Sequence, residues 1–137
     1  GTMEERLAEQ GDRALAGMEW HRVQAPLPVD EAIDLNELLG DQENAEAVAI
    51  TEVAVKRDTP VEIRCGSDDG LTLWLNGRAQ HDVKHPRGFT PGEDRVRATL
   101  APGQNRIVAR IRQADGGWKF RIEVWDVSMF PPRPLLR

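Results

Sequence analysis

From residue 45 onward, apolar and polar positions alternate with a period of two, the spacing of strands with one buried face. Ala47, Ala49, Thr51, Val53 and Val55 alternate with Val48, Ile50, Glu52, Ala54 and Lys56, and both sets are apolar at first. Val61, Ile63 and Cys65 alternate with Glu62 and Arg64. Leu71, Leu73 and Leu75 share a face opposite Thr72, Trp74 and Asn76. Val96, Ala98 and Leu100, then Ile107, Ala109 and Ile111, then Trp118, Phe120, Ile122 and Val124 complete the series. Turn signals separate these runs: Asp58-Thr59-Pro60, Asn76-Gly77, Pro102-Gly103 and Asp115-Gly116-Gly117. Asn-Gly tolerates the positive φ of a tight hairpin, so residues 78–83 are expected to return antiparallel. Seven or eight short strands with no helical crossover between them predict an all-β sandwich or barrel.

Upstream the period changes. Residues 3–19 read as a short or broken helix beside the main domain, or as the tail of a linker. Leu7, Ala14, Leu15 and Met18 form its thin apolar stripe, and Gly11 and Gly17 weaken it. Trp20 is expected to dock this segment on the sandwich. Residues 30–39 fit either a short helix closed by Gly40 or an irregular edge segment. Residues 84–93, with Pro86, Gly88, Pro91 and Gly92, are the longest loop candidate. Pro131, Pro132 and Pro134 mark the tail as a strap or a disordered end. The organisation expected is a helical flank over 1–19, a sandwich over 20–130 and a proline-rich tail over 131–137.

Composition narrows the classes. A chain of 137 residues fits one domain, and 12 Gly with nine Pro suit its many turns. A net charge of -5 argues against nucleic acid, which draws its affinity from basic surfaces. No apolar run approaches the length of a membrane span. The opening Gly1-Thr2-Met3 reads as a remnant of tag removal, so a missing signal peptide says nothing about the parent protein's address. Cys65 is the sole cysteine, which excludes an internal disulfide and cysteine-pair metal clusters. It reads as a small buried residue, because a nucleophile would need a base and neither His81 nor His85 is placed against it.

The run Ser67-Asp68-Asp69-Gly70-Leu71-Thr72-Leu73-Trp74-Leu75-Asn76-Gly77 holds the main candidate chemistry. Asp68 and Asp69 offer hard oxygens suited to Ca²⁺, which needs six to eight such ligands, so backbone carbonyls, water, Asn76, Asp82, Glu93 or Asp94 would have to converge with them. The competing reading is structural: aspartates ahead of a glycine accept backbone hydrogen bonds and shape a tight turn. As a general acid/base pair they are poorly suited, because adjacent residues in a turn do not face each other across a sugar-sized cleft. Trp74, Trp118 and Trp125 can serve as a sugar platform or as packing anchors. His81 and His85 lie too far apart along a strand to share one ion, and read as solvated loop residues. Arg95 with Arg97, and Arg110 with Arg112, share strand faces; these are an ordinary outer sheet with ion pairs or a patch for anionic glycans.

Taken in order, Gly66-Ser67-Asp68-Asp69-Gly70, Leu73-Trp74-Leu75-Asn76-Gly77, Arg87, Gly103-Gln104-Asn105-Arg106-Ile107 and Gly117-Trp118-Lys119-Phe120 form a signature. It resembles that of the galactose-binding-like β-sandwich modules attached to large secreted or surface proteins of environmental bacteria. The resemblance spans residues 20–127, and the core motif is also similar to the PA14 family. It implies a jelly-roll-like β-sandwich with a short N-terminal helix and no catalysis by the module itself. It also implies an extracytoplasmic parent protein, with a glycan or neighbouring domains as partners. In sugar-binding PA14 members two adjacent aspartates, joined by a cis peptide, hold a calcium ion that also touches the sugar; Asp68 and Asp69 match those positions. The candidate ligand-binding residues are therefore Trp74, Trp118, Asn76 and Arg87, and the candidate metal ligands are Asp68 and Asp69. A structural module supporting neighbouring domains is the alternative.

Overall fold

A computed structural model describes residues 20–137, so the helix expected over 3–19 lies outside the described residues. The elements run β1 (Ile33–Asp34), α1 (Leu35–Leu39), β2 (Ala45–Val55), β3 (Thr59–Asp68), β4 (Leu71–Leu75), β5 (Arg78–Val83), β6 (Asp94–Leu100), β7 (Gly103–Gln113), β8 (Lys119–Asp126) and β9 (Arg133–Leu136). They form two antiparallel sheets. One has the order β1-β8-β3-β6, with β9 also paired to β8; the other has the order β2-β7-β4-β5. The fold is an all-β, jelly-roll-like sandwich.

The alternation read from the sequence sets the core. Val61, Ile63 and Cys65 of β3 and Leu71 and Leu73 of β4 are fully buried. Ile111 of β7 and Val124 of β8 join them from the two sheets. Each such aliphatic side chain contributes about 1.5–3 kcal/mol relative to exposure. Polar residues continue the inward alternation at both ends of β7, where Asn105 and Gln113 are buried.

Local chemistry explains the connections. Asn76 and Gly77 have φ of 50° and 83°, the two positive values of a type I′ turn, and β4 and β5 form the expected hairpin. Residues 33–39 combine both sequence alternatives: β1 pairs with β8, and Asp34 then caps α1 by accepting from the Glu37 backbone N–H. Gly40, at φ 86°, closes that helix. The tail differs from its expectation. Residues 133–136 form β9 on the outer margin of β8, where Pro134 lies opposite Trp125 beside a bulge. An edge strand tolerates a proline because its N–H need not join a ladder.

Candidate functional site

Strand β4 has one end at the Asp68–Asp69–Gly70 turn and the other at the Asn76–Gly77 turn. Five residues at roughly 3.3 Å each separate the two ends by about 16 Å. The signature residues therefore divide between opposite ends of the sandwich and do not converge on one site.

At the Asn76 end the polar groups satisfy each other. Asn76 Nδ2 donates to Asn105 Oδ1 at 2.9 Å, and Asn76 Oδ1 accepts from the Arg106 backbone N–H at 2.9 Å. Asn105 Nδ2 reaches the carbonyls of Val53, Ala101 and Gly103, while its Oδ1 also accepts from Ala101 N–H. Buried polar groups with this many partners fix the relative position of two hairpins. Asn76, expected as a ligand-binding residue, has its amide engaged inside the protein.

At the other end, Asp69 shapes the turn. Its Oδ2 accepts from Ala114 N–H at 2.8 Å and its Oδ1 from Arg87 N–H at 3.3 Å. Its own N–H donates to the Arg112 carbonyl, and Ser67 Oγ donates to its carbonyl at 2.8 Å. Asp69 thereby joins the β7–β8 turn to the loop over 84–93. The peptide between Asp68 and Asp69 is cis. Arg87 secures that loop: Nη1 and Nη2 grip Asp94 at 3.0 and 2.6 Å, Nε donates to the Ser67 carbonyl, and Nη2 to Ser67 Oγ. Its side chain is only 9% exposed, so the Arg87 guanidinium, expected to meet a ligand, is committed to the scaffold. Burial opposes ionisation of Asp94, but the hydrogen bond from Arg87 prevails and holds its carboxyl below the usual range.

Asp68 stands apart. Burial first, and then the charge of Asp69 beside it, push its carboxyl up to about 6. Adjacent in one turn, the two carboxyls do not flank a sugar-sized cleft as the pairs of glycoside hydrolases do. Gly117 packs against Asp68, where a Cβ would come within 2.6 Å of Asp68 Oδ2. In the same turn Gln113 is buried; its Nε2 donates to the Gly116 carbonyl, while its Oε1 has no hydrogen-bond partner.

This donor set suits a hard cation. Two adjoining carboxylates repel each other, a buried carboxamide oxygen is unpaired nearby, and all three are oxygen donors of the kind calcium takes. Among the described residues no group of three or more His, Cys, Asp or Glu side chains is arranged to hold a metal ion. The remaining ligands of a calcium would thus be carbonyls, water or a bound hydroxyl. The Asp82, Glu93 and Asp94 carboxylates do not converge on the pair: Asp94 and Glu93 face Arg87, and Asp82 faces Arg112.

The tryptophans form no platform beside the aspartates. Trp118 is 1% exposed and donates its indole N–H to the Ile111 carbonyl, which corrects its expectation as a sugar-facing residue. It shares the inward parity of Phe120 and Val124, so the double glycine before it brings it into the core. Trp74 is half-buried on the outward face of the four-stranded sheet, with the Arg110 guanidinium 5.6 Å from its ring. Trp125 lies outward on the other sheet, with Arg64 over its ring at 4.6 Å. Trp20 is 47% exposed at the rim of an apolar cleft of about 470 Å³ on the sandwich flank, lined also by Leu27, Ile33, Leu35, Phe120 and Ile122. Cys65 is buried, and burial with the charge of Asp94 pushes its thiol up to about 12, leaving it protonated and inert.

No protein-family model matches the sequence, and no curated protein matches it. Solved structures do match the fold. The PA14 domain of the antifreeze protein MpAFP aligns with a TM-score of 0.56 at 14% identity, over 70% of this chain and 50% of that one. A PA14 sugar-binding domain from an RTX adhesin aligns with a TM-score of 0.51 at 16% identity, over 68% of this chain and 51% of that one. An anti-sigma factor domain-containing protein aligns with a TM-score of 0.59 at 16% identity, over 81% of this chain and 40% of that one. The chain thus spans about half or less of the structures it matches. At such low identity these likenesses show the fold alone, a two-sheet β-sandwich similar to that of PA14 domains.

Proposed function

We propose that this chain is a noncatalytic accessory module that binds carbohydrate at the Asp68–Asp69 end, with calcium as the bridging ion. One observation carries the reading. Asp68 and Asp69 adjoin, and Lys119 opposite Asp68 only partly offsets their repulsion, while the carboxamide oxygen of Gln113 in the neighbouring turn lacks a partner. A divalent cation relieves the repulsion and fills that acceptor. Asp68, Asp69 and Gln113 would hold it, and its chemistry is to coordinate paired hydroxyls of a sugar. Arg87 and Ser67 act as positioning residues that hold the turn in place. The matched RTX adhesin domain, described as sugar-binding, supports the same ligand class. We place the parent protein outside the cytoplasm, where calcium-binding modules of modest affinity are filled.

A glycan array probed with and without a calcium chelator tests this. Binding to defined sugars that disappears with chelation, and in the Asp68→Asn variant, is the expected result. A chain that binds no sugar under either condition overturns it.

A second reading, support of neighbouring domains, is favoured by the row Ile50, Val108, Trp74 and Ala79. It runs across the outward face of the four-stranded sheet and gives that face apolar character. If the array is silent, this reading takes precedence.

A further inference from the structure

The outward face of the five-stranded sheet carries more cations than its one buried carboxylate, Glu62, can pair. Residues alternate there as elsewhere, so β3 presents Glu62 and Arg64, β6 presents Arg95 and Arg97, and β8 presents Glu123 and Trp125. Glu62 lies opposite Arg97 on one side and Trp125 on the other. Arg64 lies opposite Arg95 and Glu123. Three guanidiniums converge on the single Glu62 carboxylate, at 2.7 Å from Arg64, 3.4 Å from Arg95 and 3.3 Å from Arg97. Three guanidiniums offer about fifteen N–H donors, whereas one carboxylate accepts at about four positions. The pairing is therefore far from saturated. Arg95 and Arg97 are 61% and 72% exposed, so their remaining donors point into solvent.

Stability accounts for Arg64, which gives the buried Glu62 carboxylate its partner at 2.7 Å, but not for Arg95 and Arg97. Exposed ion pairs such as theirs contribute little, and like charges directly opposite across a ladder, such as Arg64 and Arg95, are unfavourable. The cluster is also set in a chain of net charge -5, where scattered pairing of each arginine with its own acid would have been available. Glu123 on the same face is engaged by Arg121, at 3.6 Å. What remains is a site for acidic groups from outside.

We propose that this sheet face, centred on Arg95 and Arg97, binds an acidic polysaccharide bearing carboxylate or sulfate groups. Three observations favour that class. A sheet face is an extended surface, suited to a polymer. Arg95 and Arg97 stand about 7 Å apart along the strand, a spacing that sparse charges on a sugar chain can meet. The face of Trp125 is occupied by Arg64, which removes the aromatic platform that single-stranded nucleic acid uses. The site is separate from the Asp68–Asp69 turn and needs no calcium.

The test is binding of the full chain to polygalacturonate, to dextran sulfate and to an oligothymidylate, with a chelator present. The expected result is binding to one or both polysaccharides at about 50 mM salt that weakens steeply by about 200 mM. Whichever binds more tightly names the acidic group. The double variant Arg95→Glu/Arg97→Glu, at two exposed positions, is expected to weaken binding at least about tenfold. The variant Lys56→Glu/Arg78→Glu changes net charge equally at two exposed positions, one just past the end of β2 and one on β5, and is expected to bind as the parent chain does. Glu62→Gln, which removes the competing carboxylate, is expected to strengthen binding. Equal losses in the two double variants, tighter binding of the oligothymidylate, or no polysaccharide binding at low salt overturns the proposal. Failure here with calcium-dependent sugar binding intact would strike this face alone.

Discussion

The two ends of strand β4 each pair a buried polar side chain, Asn105 or Asp69, with a more open one, Asn76 or Asp68, yet they close differently. At the Asn76 end two neutral amides share a hydrogen bond and together engage five backbone carbonyl or N–H groups, and the network is complete. At the Asp68 end one carboxylate accepts from two backbone N–H groups and keeps acceptor positions free, its neighbour is repelled, and a buried carboxamide oxygen has no partner. A satisfied network stabilises a fold and has little left to offer a ligand. An unsatisfied anionic one has acceptor capacity to spare. The same signature run therefore supplies a staple at one end and a candidate binding site at the other.

The largest effect is expected from breaking the staple. Asn105→Ala leaves the Val53, Ala101 and Gly103 carbonyls and the Asn76 amide short of partners, and is expected to cost about 3 kcal/mol, read by urea denaturation. A loss below that of an ordinary surface substitution would show the Asn76 end to be no staple. Arg87→Leu comes next. It strips Asp94 and Ser67 of their charged partner and is expected to cost about 2–3 kcal/mol, with faster proteolysis within residues 84–93. Asp69→Asn is milder, about 1 kcal/mol, because its Nδ2 then faces a backbone N–H that a carboxylate oxygen had accepted.

Asp68→Asn is expected to act in the opposite direction. A carboxyl whose pKa is raised on folding takes up protons in the native state, so stability falls as pH rises from about 4 to about 6. Removing the charge at Asp68 is expected to raise Tm modestly at neutral pH, and to leave it unchanged at pH values below the unfolded carboxyl range. Asp94 has the reverse sign. Held below its usual pKa, it contributes stability above the ordinary carboxylate range that is lost as pH falls through its depressed value. Calorimetry of Asp68→Asn and Asp94→Asn across pH separates these slopes; a stabilising role for Asp68 in calcium-free buffer at neutral pH would contradict the repulsion described here.

Much of this architecture is legible in the sequence because one physical signal controls it. A strand with one buried face must alternate, so the runs at 61–65, 71–75 and 107–111 announce their inward residues, and Asn76-Gly77 announces its hairpin. The sites are less legible. Asn76 and Asn105 meet across 29 positions of sequence, and no local pattern reports a contact of that range. Gln113 continues the inward parity of Ile107, Ala109 and Ile111, but a polar residue at an inward position does not announce what it meets. Trp118 is in step with Phe120 and Val124, yet its place beside a turn suits a sugar platform as well as a packing anchor. The β9 tail was obscured by its prolines, because their tolerance depends on an edge position that only the sheet order reveals.

Thermal unfolding with and without calcium, of the parent chain and of Asp68→Asn, tests the difference between the two ends most directly. Saturating calcium at about a hundred times its Kd adds about 2.7 kcal/mol to a protein that binds it only when folded. The expected result is a Tm raised by several degrees in the parent chain and unchanged in the variant. No shift in the parent chain, or an equal shift in both, would contradict the assignment of the Asp68 end as the binding end.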